Sequence, residues 1–471
     1  MKKTLTILSF FILVFIVASC DSTSSVENTT LNTTIETSED VLNTDTTATT
    51  ENSAVTTELS GSVYQEDEMV DEVVYPHNEV IEVNIDITSE NYNDIINNAM
   101  DEEYHTCDIT YNGYSLTNVA IRTKGNSSLR DVFNANGDRF SYNIDLNYYE
   151  KQDLFGIDKL ILNNLYMDPS MIAEYITYEA LDYLGAVSSR TTFVALSFNG
   201  EYYGLYLSVE HVGNEFLDTN FNNSDGEQYK PDSGVGANLN YISDSTNYSA
   251  LVDENSDDLS NKAIIELMKR IDSGDDLVEI FNVESYLKYL AVSTYTVNLD
   301  SYQGGMYHNY YLYNNDGVFE WIAWDLNMAF NGFPGVRITD LQATEYLIDE
   351  PVINSLSSYP LIESILSNET YLEMYHSYLQ ELIDGYFNIE TFEQRVNEIA
   401  EMIDDYVETD PSSFYTYTAY QNALFTDSTL SYSILQFVET RSENIDKQLS
   451  GLIPSTNGGK GNVVSSTRPP R

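Results

Sequence analysis

Apolar and polar positions change period along this chain in an order that sketches its architecture. From Val80 to Ile87 they alternate, as in a half-buried strand, and Ser89 to Met100 follows with a capping residue and helix-spaced apolar positions. Runs at His105 to Tyr111, Thr117 to Thr123, Ser141 to Leu146 and Lys159 to Leu162 predict a cluster of strands. Asp168-Pro-Ser opens a predicted helix to about Leu184, with Pro169 in its first turn. Thr191 to Asn199 and Tyr202 to Val209 flank Asn199-Gly200 and predict a hairpin. Beyond a polar stretch from Asn220 to Ser260 the period becomes helical, over Leu259 to Ile271 and Val283 to Val297. A second hairpin, Tyr307 to Tyr313 with Phe319 to Trp324, precedes several helices between about 360 and 450. A β-rich first half and a helical second half predict an α+β fold.

The flanks have another character. Residues 1–19 carry two lysines and an apolar run, and Val17-Ala-Ser-Cys20 closes it like a bacterial lipobox, which predicts a signal peptide (1–19) and lipidation of Cys20. The segment 20–75 then reads as a Ser/Thr-rich tether, whose first 50 or so residues would reach roughly 40 Å as flexible coil. The folded domain is expected over 76–450, followed by a flexible basic tail, 451–471. This organisation places the protein outside the cell as a membrane-anchored lipoprotein. With Cys20 modified, Cys107 has no partner for a disulfide and reads as a small buried residue.

Charge narrows the partners. The chain holds 21 Lys and Arg against 75 Asp and Glu, a formal net charge of −54, which repels nucleic acid over most of the surface. Against that background Arg122, Lys124, Arg130 and Arg139 fall in one short window, around Gly125-Asn126-Ser127-Ser128. Such a turn can aim backbone N–H groups and hydroxyls at an anion, and it equally fits a β-turn whose cations pair with carboxylates. In the second half, Asp300 lies beyond a helical segment and Asp325 ends the apolar strand Phe319 to Trp324. The hairpin between them can bring both carboxylates to one Mg²⁺, with Asn309 or Asn327 completing its oxygen ligands; Asp325 also suits a helix cap. Asp253-Glu-Asn255-Ser-Asp257 starts like a Ca²⁺ loop but lacks the turn glycine. The 38 tyrosines are expected mostly in core and strands.

At this point the chain resembles the spore-coat protein H family, the CotH kinases, over roughly 80 to 340. The landmarks are Arg122-Thr-Lys124-Gly125-Asn126-Ser127-Ser128, Leu162-Asn-Asn164, Phe198 to Glu210, Gln228-Tyr-Lys230, His308 to Tyr313 and Trp324-Asp325-Leu-Asn327. The resemblance implies a divergent protein-kinase-like fold that binds ATP with Mg²⁺ or Mn²⁺ and phosphorylates Ser or Thr of exported proteins on the cell or spore surface. By the same resemblance Asp325 holds the metal, Asp300 lies near the acceptor hydroxyl, and the Gly125 loop covers phosphates. Glu174 pairs with the phosphate-binding cation, and Lys230 is a further nucleotide contact. The chain departs from the family twice. Arg139 stands alone where consecutive basic residues are usual, and Asn327 replaces an aspartate. The competing reading is an inactive adhesin or assembly scaffold built on the same fold.

Overall fold

The computed structural model describes residues 68–462, apart from 233, 244–247, 252, 254–260, 336–337 and 430. The signal peptide, Cys20, nearly all of the tether, most of the Asp253 to Asp257 stretch and the last nine residues lie outside the described residues. Among the described residues no helix is long and apolar enough to cross a membrane.

The first half closes into a barrel. Strands β1 (Val80–Asp86), β2 (His105–Tyr111), β3 (Tyr114–Lys124), β4 (Ser141–Asp145), β5 (Lys159–Asn163), β6 (Thr191–Phe198) and β7 (Glu201–Glu210) run in the order β1-β2-β3-β4-β5-β7-β6. Every pair is antiparallel except β1 with β6, whose parallel ladder from Val80–Phe193 to Ile85–Phe198 closes the ring. Alternation along β1 turns Ile81, Val83 and Ile85 inward, where they meet Ile109, Ile121, Ile144 and Leu160. Cys107 belongs to this core, and burial pushes its thiol up to about 12, so it is inert as a nucleophile.

Helix α1 (Ser89–Asn97) is capped by Thr88, and α2 (Ser127–Asn134) follows β3 directly. Helix α3 (Ala173–Tyr183) connects β5 to β6, and α4 (Asn214–Phe221) follows β7. The second half holds α5 (Lys262–Ser273) and α6 (Val283–Tyr295), then the small sheet β10-β9-β8 built from β8 (Gln228–Tyr229), β9 (Tyr310–Asn315) and β10 (Val318–Ala323). Helices α7 (Asp340–Thr344), α8 (Pro360–Leu366), α9 (Glu369–Asp384), α10 (Ile389–Thr409), α11 (Tyr417–Phe425) and α12 (Ile434–Leu449) complete it. One large core runs from β5, β7 and α3 through α6 and β9–β10 into α8–α12. Tyrosines fill much of it, with Tyr310 stacked on Trp321 at 3.9 Å. The β-rich first half and helical second half are therefore observed as expected.

Three boundaries move. The Pro169 helix begins only at Ala173, because Asp168 spends its carboxylate on the amides of Ser170 (2.8 Å) and Ala173 (2.9 Å), making a turn before the helix. The folded domain starts before 76: Val70, Val74 and Tyr75 are buried in the barrel core, and Tyr111 donates its hydroxyl to Val74 O at 2.9 Å. The tail does not begin at 451 either, since residues 451–462 pack back on the segment 347–356. Apolar residues embedded in an acidic stretch, and glycines in a polar one, hid both extensions from a reading based on composition.

Candidate active site

Four chain segments deliver the functional side chains. Strand β3 ends at Lys124, and Gly125, at φ +118°, turns the chain into α2. Gly-Asn-Ser-Ser is thus a turn and a helix start rather than a turn alone: Leu129 and Val132, at helical spacing, bury one face of α2. Asn126 occupies the cap position without a side-chain bond, so the first amides of α2 have no capping acceptor there. Strand β5 ends at Asn163, and Glu174 opens α3. Strand β10 runs into Trp324 and Asp325, the latter left-handed at φ +54°. The link after α6 supplies Asp300.

Lys124 and Glu174 are joined through an amide. Lys124 Nζ donates to Asn163 Oδ1 at 2.7 Å, and Asn163 Nδ2 reaches both Glu174 carboxylate oxygens at 3.0 Å. Glu174 is 1 % exposed. Burial first, then the charge of Asp325, pushes its carboxyl up to about 8, although Asn163 and Lys124 pull the other way. The same burial lowers the Lys124 ammonium against the attraction of Asp325 and Glu174. Asp325 is raised by burial while Lys124 opposes, and Asp300 adds to the rise. Among the described residues nothing donates a hydrogen bond to its carboxylate, so it is no helix cap. Lys124 lies over the Trp324 ring at 5.8 Å, and Lys230 over Trp324 at 5.5 Å and Tyr311 at 5.1 Å. Two ammonium groups thus converge on the indole next to Asp325.

Asp300 is held by its neighbours. His308 Nε2 hydrogen-bonds Asp300 Oδ1 at 2.8 Å, Asn309 Nδ2 donates to Asp300 O at 2.7 Å, and Asn298 Oδ1 accepts the Asp300 amide at 3.2 Å. Burial alone would lower the His308 pKa; the hydrogen bond and charge of Asp300, with Asp325 and Asp232, outweigh it and raise it. Backbone strain gathers here: Val297, Tyr307, Asn309, Asp325, Phe330 and Asn331 all have φ between +51° and +62°. The Val297 turn follows α6, whose last carbonyls, Thr294 and Tyr295, accept from the fully buried Arg441 guanidinium on α12.

Two expected nucleotide contacts have other partners. Arg139, 2 % exposed, spends Nη1 on Asp410 and Ser412, Nε on Asn164 O and Nη2 on Leu205 O. A guanidinium saturated in a buried clamp has nothing left for phosphate, so its assignment to the nucleotide is corrected. Arg122 pairs with Glu102 and lies over the Tyr104 ring at 5.1 Å. Asn163 and His308 stood within sequence landmarks, but their pairings, Asn163 with Lys124 and Glu174 and His308 with Asp300 across a link, follow no helical or strand period and left no local signal. His211, just past β7, lay in no motif; burial and then Lys159, Lys230 and Lys124 hold its imidazole well below the usual histidine range.

The donor set fits a divalent cation that arrives with phosphate. Among the described residues no three His, Cys, Asp or Glu gather as a self-sufficient metal cage. Mg²⁺ needs only one or two carboxylates when phosphate oxygens and water fill the rest of its shell. The unbonded Asp325 carboxylate supplies that charge. Asn309 has its amide nitrogen committed to Asp300 and so keeps its oxygen as a potential ligand, and Asn327 is half-buried two residues beyond Asp325.

Comparison with known proteins agrees with this chemistry. The family model described as CotH kinase protein matches residues 121–445. The inner spore coat protein H of Bacillus subtilis (strain 168) is 25 % identical over 285 residues, 58 % of this chain and 74 % of that protein. Among solved structures, the HipA, HipB and operator DNA complex of Shewanella oneidensis MR-1 aligns over 66 % of this chain and 58 % of its own, at 12 % identity and TM-score 0.27. The Helicobacter pylori proinflammatory kinase CtkA aligns over 70 % and 91 %, at 11 % identity and TM-score 0.24. At such scores neither structural likeness bears on the site. The family match spans well over half of the sequence, and the chain belongs to the CotH kinase protein family.

Proposed function

We propose that this family member is an ATP-dependent protein kinase that transfers a γ-phosphoryl group to Ser or Thr hydroxyls of exported or envelope proteins. The observation that carries the reading is the convergence of Lys124, tied by Asn163 to Glu174, on the charge of Asp325, which in turn feels Asp300 and His308. Phosphoryl transfer asks a protein for little beyond cations on the phosphates, a carboxylate for the metal and a residue that orients the attacking hydroxyl. Lys124 and Lys230 supply the cations. Asp325, with the Asn309 and Asn327 oxygens, would hold Mg²⁺ or Mn²⁺, which would draw charge from the phosphate oxygens. Asp300, fixed by His308 and Asn309, accepts the hydroxyl proton. The uncapped start of α2 at Ser127 and Ser128 lies directly after Lys124, where its amides suit a phosphate.

In this proposal Cys20 is lipidated and the tether holds the domain off the membrane, so that acceptors are proteins of the cell or spore surface. The spore-coat relative supports a spore-associated setting. The test is γ-phosphate transfer from ATP with Mg²⁺ or Mn²⁺ to a mixed protein acceptor, with Asp325→Ala as control. Transfer that disappears in the control is the expected result. No transfer, together with no nucleotide-dependent rise in Tm, would replace the kinase with the scaffold reading.

A further inference from the structure

Helix α3 serves the candidate active site with Glu174, and a second polar joint sits on another of its faces. Tyr175 and Glu179, four residues apart and so on one face, meet α10 at Arg395. The guanidinium grips Glu179 as a fork, with Nη2 donating to Oε1 at 2.5 Å and Nε to Oε2 at 3.2 Å. Tyr386 donates its hydroxyl to the same Oε2 at 2.7 Å. Arg395 Nη2 also reaches the Tyr175 hydroxyl at 3.3 Å, and that hydroxyl donates to His77 O. The remaining nitrogen, Nη1, donates to Asn78 Oδ1 at 3.3 Å and to Glu398 at 3.4 Å. Tyr175 is buried, and the Arg395 and Glu179 side chains are only 22 % and 12 % exposed, so solvent screens the pair little.

The joint ties α3 to both halves of the fold at once. His77 and Asn78 lead into β1, and Pro76 O beside them accepts from Thr192 Oγ1 on β6 at 2.7 Å. That tie runs to the barrel, which carries Lys124. Arg395 and Tyr386 belong to the helical half, which carries Asp325. Apolar packing also surrounds α3, through Ile176, Ala180 and Leu181. Such packing is non-directional, and it leaves the exact setting of a helix to its directional polar bonds. Glu174 and Tyr175 are consecutive, so a shift of α3 that stretches the bonds of Tyr175 and Glu179 carries Glu174 with it. Asn163 and Lys124 follow, through bonds of 3.0 and 2.7 Å.

We propose that Tyr175 and Arg395 are positioning residues for phosphoryl transfer: together they set α3 so that Glu174, through Asn163, holds Lys124 where it meets the nucleotide phosphates opposite Asp325. The proposal rests on the kinase reading above. Every bond named for these two side chains ends on a protein group, so their effect reaches the reaction only through Lys124. Displacing a catalytic group by an ångström costs on the order of 100-fold in rate. A purely structural joint would instead lower the free protein's Tm and leave the kinetics of the folded protein as they were.

The test compares Arg395→Met, Arg395→Lys and Tyr175→Phe with the parent, each as the full chain, in transfer from ATP with Mg²⁺ to the mixed protein acceptor, and records Tm with and without ATP and Mg²⁺. Arg270→Met, which breaks an exposed pair with Glu279 at 3.3 Å, is the control. At a temperature where all are folded, Arg395→Met should lower kcat/KM for ATP on the order of 100-fold, and Tyr175→Phe by a smaller factor. The nucleotide-dependent rise in Tm should shrink in both. Arg395→Lys should recover part of the loss, since it keeps a charge beside Glu179 without the two-pronged grip. Arg270→Met should behave as the parent does. Tyr175→Phe removes a single oxygen and decides the matter if Arg395→Met does not fold. Parental kcat/KM and nucleotide response in folded variants, whatever their free Tm, would overturn the positioning role and leave the kinase standing. A parent with no transfer and no nucleotide-dependent rise in Tm would overturn both.

Discussion

The Arg139 guanidinium and the Asp410 carboxylate, 271 residues apart in sequence, meet at 2.7 Å where their side chains are 2 % and 1 % exposed. Asp410 also accepts the Leu205 amide at 2.9 Å, and Ser412 donates to Tyr203 O at 2.6 Å. The pair fastens the end of α10 to strand β7, and a Cβ at Gly204 would strike both partners. Losing one partner leaves a buried charge alone, at a cost of about 3–5 kcal/mol. Arg139→Met and Asp410→Leu should each lower the urea unfolding free energy by that order, and the double variant should recover part of it. Folded Arg139→Met should bind ATP as the parent does; selective loss of nucleotide affinity at unchanged stability would return Arg139 to the phosphate site.

Glu174 makes stability depend on pH in a definite sense. Its carboxyl is pushed from an ordinary value of 4.5 up to about 8. Between those values the folded protein keeps a proton that the unfolded chain has released, so this group's contribution declines as pH rises through the window. Glu174→Gln cannot titrate. Its Tm relative to the parent should therefore climb from pH 4.5 to 8 and level off above, while phosphotransfer falls because Asn163, which holds Lys124, loses one of the two oxygens that anchor its amide. A Tm difference that stays flat with pH would refute the raised carboxyl.

Local period made much of this fold legible, and contacts distant in sequence hid the rest. The Asn199-Gly200 and Asn314 to Gly317 turns announced their hairpins, and alternation placed the barrel strands. No local pattern announces that β1 will pair in parallel with β6, because closure depends on how seven strands coil together. At the site, Asp325 stood out as a carboxylate ending an apolar strand, Asp300 as its counterpart across the hairpin, and Lys124 as a scarce cation after an apolar run. Arg139 stood out for the same reason and was misread, since the residue that neutralises it lies at the end of α10, within the helical half. Asn163 was overlooked because an asparagine at a strand end is ordinary until its two neighbours in space are known.

His308 is a positioning residue for Asp300. With the imidazole removed, Asp300 Oδ1 loses a 2.8 Å partner, and among the described residues only Asn309 still restrains the carboxylate, at 3.3 Å to Oδ2. Misplacement of a catalytic group by an ångström costs on the order of 100-fold in rate. His308→Ala should lower kcat by about that factor with KM for ATP little changed, and His308→Gln, which can still donate a hydrogen bond, should recover part of the loss. A rise in KM for ATP with kcat intact would instead place His308 on the nucleotide.

Asp325 should show opposite effects in the free and nucleotide-bound protein. Burial raises its carboxyl despite Lys124, and no described residue donates a hydrogen bond to it, so the charged form is costly in the free fold. Asp325→Asn removes that charge and should leave the free protein's Tm equal to or above the parent's. The same change removes the carboxylate proposed to hold the metal, so the Tm rise produced by ATP with Mg²⁺ should shrink, and transfer should fall below detection. Glu174 shares the burial and feels the charge of Asp325, so the two sites should not be additive. Glu174→Gln in the Asp325→Asn background should gain less free-state stability than it does alone, because one of the two charges that raise its pKa is already gone. If both changes add fully, the carboxylates do not share one electrostatic site and the metal must be sought elsewhere.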